Sequence, residues 1–242
     1  MFAPSYVSGA IHPRASTSLG LTSDGATVMP SVSIENAAPP GTPAVVFKVS
    51  YTIIDSPSGS GGVVGTSPYT ASANVSGGTT LPLPLPSLSL SSPELWSIPR
   101  PYLYTISVTL TTSDGVVLDM VNTTLGIRSV LWDPMEGAFI NQQPTKLRGF
   151  CNHNNFAAVG MGVPDRINLF RLQQIRGVGG NSWRMSHNPG NPATFALGDR
   201  LGMTFLEENR VFSDQQEYID NMRDMVRRDR VHPSILFYSF CK

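Results

Sequence analysis

A change of hydrophobic period near residue 127 restricts this chain more than any other feature. Beyond it, short apolar runs alternate with helical stretches. A run over 147–153 precedes a helix over 164–176, and a run over 181–187 precedes a short helix over 193–201. A run over 203–209 precedes a helix over 214–230, and a final run covers 235–241. Strands separated by helices cannot close as hairpins, so the pattern predicts four β/α units sharing a parallel sheet. The 214–230 helix is the most sharply drawn. Ser213 reads as its N-cap with Gln216 three residues on, a capping box, and Tyr218, Met222, Met225 and Val226 make one apolar stripe.

Before residue 127 the period is two. Residues 44–55 are rich in Val, Ile and Tyr, and residues 102–112 alternate cleanly. Ser113-Asp114-Gly115 then turns the chain into a returning strand over 116–125, a hairpin. Residues 81–90 alternate Leu with Pro or Ser; proline cannot donate to a ladder, which places that segment at an edge or in a linker. Fourteen of the twenty prolines lie at or before Pro101, and residues 1–127 hold three basic residues (Arg14, Lys48, Arg100) against six acidic ones. Short β-prone runs between turn formers predict a sandwich. The predicted fold class is therefore multidomain, β then α/β: a poorly defined segment over 1–25, an immunoglobulin-like β-sandwich over 26–134, and over 135–242 about four β/α units, the first half of a TIM barrel.

Seventeen Lys+Arg balance seventeen Asp+Glu. A neutral chain without a basic run lacks the electrostatic footprint of a nucleic-acid or anionic-membrane binder. No window approaches the roughly 18 apolar residues of a membrane span. Residues 1–20 carry neither a basic leader nor a long apolar run, so no secretory signal is visible and the compartment stays unassigned, as does the oligomeric state. Two cysteines, Cys151 and Cys241, make no disulfide framework.

In β/α folds chemistry gathers where strands end at their carboxyl side. Here those ends read Asn152-His153-Asn154-Asn155, then Arg184 with Ser186-His187-Asn188-Pro189, then Glu207-Glu208-Asn209-Arg210. A lone histidine is most often a satisfied surface residue, but two at corresponding strand ends beside an arginine point to a shared pocket. His153, His187 and Glu208 are also a conceivable zinc set, although the spacing fits no zinc motif and no metal site is assigned. Glu207 and Glu208 are adjacent on a strand and face opposite ways, so one faces the barrel axis and the other is expected in a salt bridge to a helix. Cys151 shares a strand face with His153, and without an oxyanion-hole motif it reads as a buried structural thiol. His232, before Pro233, falls on the stability face. Arg227-Arg228 reads as a solvated helix end.

These segments also resemble a known family. Pro93-Glu94-Leu95-Trp96 with Pro101-Tyr102-Leu103-Tyr104-Thr105 resembles the P-x-L-W-S-x-x-x-P-x-L-Y signature of glycoside hydrolase family 2, the β-galactosidase, β-glucuronidase and β-mannosidase group. Gly126-Ile127-Arg128 is similar to the G-[IF]-R that closes its immunoglobulin-like domain, and Lys146 to His153 to the L-R-G-x-x-x-H of its first barrel strand. Asn181 to Pro189 resembles N-x-x-R-x-S-H-x-P, Asp199 to Met203 resembles D-x-x-G-[LM], and Glu207-Glu208 resembles [DE]-E. Arg228 to Ser234 resembles R-[DN]-x-x-H-P-S. Each motif is weak alone; their order and spacing over residues 93–242 make the resemblance specific.

The resemblance implies a retaining glycosidase acting on a carbohydrate substrate, without cofactor. It implies that His153, Arg184, His187 and, as the weaker member, Glu208 line the sugar pocket. The family's acid/base Glu follows strand four in a W-S-x-x-N-E segment, and the aligned residues here are Phe237-Tyr238-Ser239-Phe240-Cys241-Lys242. Both catalytic Glu residues are therefore expected beyond Lys242. A metal that some members hold after the third strand is not carried over, because Arg210, Val211, Phe212 and Ser213 stand there. Leu147 to Lys242 is 96 residues, whereas a complete barrel takes roughly 200–250. The expectation is a truncated chain, inactive alone; the alternative is a non-catalytic carbohydrate-binding or scaffolding protein.

Overall fold

A computed structural model of the chain describes residues 25–55, 61–66 and 71–240. They group into two compact units: residues up to Pro93 with Leu103–Leu125, and Glu94–Tyr102 with the chain from Gly126 onward. The segment expected to be poorly defined lies, up to residue 24, outside the described residues.

The first unit is all β. Its main sheet runs Val63–Thr66, Val45–Ile54, Tyr104–Thr112, Val117–Leu125, antiparallel throughout, with Ala71–Val75 also paired to Val45–Ile54. Period-two sequence makes one face apolar: along Val45–Ile54, Phe47, Val49, Tyr51 and Ile53 are buried while the residues between them are not. Ile106, Val108 and Leu110 continue that face on the neighbouring strand, and each such side chain contributes about 1.5–3 kcal/mol on burial. Two ribbons, Ser31–Asn36 with Thr79–Pro84 and Ala26–Val28 with Leu88–Leu90, supply Val28, Val32 and Ile34 to the core. The proline-rich stretch thus forms two short strands, each with a single partner among the described residues; in the first of them Pro82 and Pro84 have no N–H for a second. The Tyr51 hydroxyl donates to the Pro86 carbonyl at 2.5 Å, and burial pushes its pKa up to about 12. This is an immunoglobulin-like β-sandwich.

The second unit holds four parallel strands in consecutive order: Gly149–His153, Ser182–Ser186, Thr204–Glu208 and Ile235–Ser239. Three helices connect them, α1 (Asp165–Gly177), α2 (Pro192–Leu201) and α3 (Gln216–Asp229). A short antiparallel sheet of Val130–Asp133, Gly137–Ile140 and Gln143–Pro144 precedes the first strand. Strand alternation splits the parallel sheet into two faces. Trp183, Met185, Phe205 and Ile235 point toward the helices and pack with Leu172, Ile175, Phe195 and Met203. Gly149 is required by contact rather than conformation, since a Cβ there would lie 1.8 Å from the Ser182 carbonyl oxygen. At Gly202, which ends α2 with φ +68°, both reasons apply: a Cβ would meet the Ile98 carbonyl oxygen at 2.1 Å.

The α3 start differs from expectation. Gln215 takes the cap position without a side-chain bond, Ser213 Oγ only accepts from the Gln215 N–H at 3.2 Å, and Gln216 donates forward to Asp220. With a one-turn partner available on its own helix face, the glutamine does not reach back to close the box. The apolar stripe forms around Met225, with Asp229 buried one turn later.

The amino-terminal ends of the strands are pinned by a separate network. Asp199 of α2 takes His232 Nδ1 on Oδ2 at 2.6 Å and, on Oδ1, accepts from Ser234 Oγ at 2.5 Å and the Ser234 N–H at 3.1 Å. Its carbonyl accepts from Trp96 Nε1 at 2.8 Å. Arg128 donates to the carbonyls of Pro233 and Ile235, and burial pulls its pKa down to about 10. His232 is thus a structural residue.

Candidate functional site

The register sets which side chains meet. Cys151 pairs with Arg184, Arg184 with Leu206, Leu206 with Phe237, and Glu208 with Ser239, so Cys151, His153, Arg184, Ser186, Leu206, Glu208, Phe237 and Ser239 share the inner face. Toward its carboxyl end this face becomes polar. The Glu208 side chain is fully buried and both its oxygens are used. Oε2 accepts from Arg184 Nε at 2.8 Å and Nη2 at 2.6 Å, and Oε1 lies 2.6 Å from His187 Nδ1. The carboxylate in turn holds the Arg184 pKa above its ordinary value. His153 and His187 meet edge to face with ring centroids 5.4 Å apart. The Ser186–His187 peptide bond is cis.

The four residues singled out in the sequence therefore form one cluster. Glu208 anchors Arg184 and His187, and His187 touches His153. The anchoring leaves definite groups unspent. His187 keeps Nε2, Arg184 keeps Nη1, and the His153 ring is exposed at the tip of its strand. The arrangement offers a rigid set of donors and one reversible imidazole donor/acceptor, suited to hydroxyl-rich ligands. A hollow of about 230 Å³ opens on the same inner face, lined by Cys151, Arg184, Leu206 and Phe237 among others. Trp132 covers Phe237 with ring centroids 4.0 Å apart. Among the described residues no group of three His, Cys, Asp or Glu side chains is arranged to hold a metal ion.

Two readings of single residues change, and the outward Glu207 meets the helix salt bridge expected of it. Cys151 is exposed, not a buried structural thiol, because it stands on the inner face where the hollow opens. Arg227 is exposed, as a solvated helix end should be, whereas Arg228, also partly exposed, is in addition tied down. Its Nη2 donates to the Gly190 carbonyl at 2.8 Å and to Asp229 Oδ2 at 2.6 Å, and reaches Glu207 Oε1 at 3.4 Å. Glu207 itself, fully buried on the helix side, also accepts from the Gly190 N–H at 3.3 Å. Burial and the adjacent Asp229 carboxylate push its pKa up to about 9. At neutral pH it holds its proton. The involvement of Asp229 was not foreseen; its one signal was an acidic residue at the end of the apolar stripe, four after Met225.

A β-sandwich followed by parallel β/α units with a polar cluster at their carboxyl tips defines a sandwich-and-barrel protein. The chain belongs to glycosyl hydrolases family 2: the family model matches residues 31–128, and its TIM barrel domain matches residues 135–215. It is similar to the β-galactosidase BoGH2A of Bacteroides ovatus, 32% identical over 164 residues covering 63% of this chain and 19% of that protein. A β-glucuronidase of Bacteroides fragilis is 28% identical over 166 residues, 62% of this chain and 24% of that protein. Among solved structures, a glycosyl hydrolase family 2 member from Bacteroides cellulosilyticus superposes with a TM-score of 0.77 at 26% identity, covering 90% of this chain and 29% of its own. A Bacteroides uniformis β-glucuronidase superposes at 0.78 and 27%, covering 91% and 26%. The chain thus spans about a fifth to a third of the length of these relatives. No helix among the described residues is long and apolar enough to cross a membrane.

Proposed function

We propose that this chain carries the sandwich and the sugar-recognition half of the barrel of a β-glycosidase of the β-galactosidase/β-glucuronidase type. His153, Arg184, His187 and Glu208 form the floor that hydrogen-bonds the substrate. The observation that carries the reading is the buried Glu208, which fixes Arg184 and His187 at the strand tips while leaving Nη1, Nε2 and the His153 ring for a ligand. Donors fixed in advance cost no reorganisation when a sugar binds or when charge develops on its ring.

The same geometry argues that these residues recognise the sugar rather than cleave it. Double displacement requires two carboxylates about 5–5.5 Å apart across the glycosidic bond, one to protonate the leaving oxygen and one to form the glycosyl-enzyme. Among the described residues the strands present one inward carboxylate, Glu208, and it is already committed to Arg184 and His187. Glu207 lies on the other face. Calorimetric titration of the 242-residue chain with galactose, glucuronate and mannose is expected to give binding of at least one sugar, lost in Arg184→Met. Nitrophenyl galactoside and glucuronide are expected to remain uncleaved. Clear turnover would remove the division between recognition and cleavage, and binding of none of the three sugars would remove the floor.

A further inference from the structure

A second cavity, also about 230 Å³, lies on the helix side of the parallel sheet. Asn154, Asn168, Arg171, Trp183, Thr194 and Arg228 are among its walls. We propose that it binds a small oxyanion, a carboxylate or a phosphate. This is independent of the sugar floor, which occupies the opposite face of the same strands.

The first argument is charge. Arg171, half-buried on α1, stacks over Trp183 with its guanidinium carbon 4.5 Å from the ring centroid. It donates to the His153 carbonyl at 2.6 Å, and among the described residues no carboxylate lies within ion-pair distance of it. Burial pulls its pKa below the ordinary value, the mark of a cation that has lost water without gaining a counter-ion. Arg228, on the far wall, is balanced by Asp229, while Glu207 keeps its proton. The cavity therefore carries one uncompensated positive charge.

The second argument is unspent hydrogen-bonding capacity. Asn168 and Thr194 line the cavity at 4% and 3% exposure. Neither side chain has a hydrogen-bond partner among the described residues. Buried polar groups are normally paired, and these two share one cavity with a guanidinium that has no carboxylate partner among the described residues. The third argument is field. Asn191, Pro192 and Thr194 begin α2, so its positive end faces the cavity. The cap is closed, with the Ala193 N–H on Asn191 Oδ1 at 2.9 Å, so the helix contributes potential rather than free N–H groups. An oxyanion would take the Arg171 fork bidentately, with Asn168 Nδ2 and the Thr194 hydroxyl as further donors. Occupancy would brace both strand tips, because Arg171 holds the His153 carbonyl and Asn154 Nδ2 holds the Pro189 carbonyl at 2.9 Å.

The test is thermal unfolding of the full chain in sodium phosphate and sodium acetate, each against sodium chloride at matched ionic strength. A saturable rise in Tm with either anion is expected, with apparent affinity at least tenfold weaker in Arg171→Met, which keeps an apolar stem over Trp183. The tighter anion assigns the ligand as phosphoryl or carboxylate. No rise beyond chloride, or an equal rise in Arg171→Met, overturns the site. Should that variant not fold, an amide-resolved NMR titration of the parent chain with phosphate decides. Shifts at Asn168 and Thr194 support the site; shifts confined to Arg184 and His187 place the anion on the sugar floor and overturn it.

Discussion

On the inner face of the third strand, Glu208 meets Arg184 and His187; on its outer face, one residue earlier, Glu207 meets Arg228, the Gly190 N–H and Asp229. Both carboxyls are fully excluded from water. The difference lies in what surrounds them. A charge taken out of water survives when cations and donors repay its lost hydration, and Glu208 has three N–H groups from two side chains. Glu207 has one long contact to a guanidinium that Asp229 already occupies, plus a second carboxylate alongside, so it keeps its proton instead. Two identical residues joined by one peptide bond become a charged anchor and a neutral acid.

The comparison breaks most visibly at Arg184. Arg184→Met strands the buried Glu208 charge with His187 alone, and a loss of about 3 kcal/mol is expected in urea unfolding, the low end for a broken buried pair because the guanidinium is partly exposed. Glu208→Gln removes the charge but leaves Arg184 and His187 to share an amide, with an expected loss of about 2 kcal/mol. The same substitution one residue earlier should do far less. Glu207→Gln replaces a protonated acid by an isosteric neutral group and is expected to cost under about 1 kcal/mol at pH 7. A Glu207→Gln loss equal to that of Glu208→Gln would erase the distinction.

The pH dependence separates the two carboxyls most directly. Folding raises the Glu207 pKa to about 9, against about 4.3 when unfolded. The folded chain then binds a proton that the unfolded chain has released, so this contribution to stability is complete below about pH 4.3 and drains away as pH climbs to about 9. Urea midpoints of the parent should fall between pH 6 and pH 9 more steeply than those of Glu207→Gln. Parallel curves would mean that Glu207 titrates normally.

Much of this was legible in the sequence. The change of period at residue 127 located the sandwich and the four β/α units, and strand alternation alone separated Glu207 from Glu208. Clustering at strand ends was enough to group His153, Arg184, His187 and Glu208, because parallel strands in consecutive order align their tips. What escaped depended on which helix surface packs where. Arg228 and Asp229 follow an unremarkable charged helical run, and only docking of α3 against the Gly190 loop buries Asp229 and ties Arg228 to the Gly190 carbonyl. Cys151 differs for the converse reason: the lack of an oxyanion-hole motif suggested a buried structural thiol, but exposure depends on whether anything faces that side of the sheet. Ser213 is not the cap because the helix begins at Gln216, with Gln215 in the cap position.

The bonds that pin the start of the fourth strand carry a consequence for where this molecule can be divided. Trp96 and Arg128 reach Asp199, Pro233 and Ile235 from stretches of chain that flank the last two sandwich strands, not from the β/α units themselves. The chain therefore enters the second unit at Glu94–Tyr102, returns to the first, and enters the second again at Gly126. A cut at residue 134 would leave the Asp199, Pro233 and Ile235 carbonyls without the donors that hold them. Any exchange of the sandwich between related proteins would have to carry both flanking stretches along, or leave the half-barrel without its clasp.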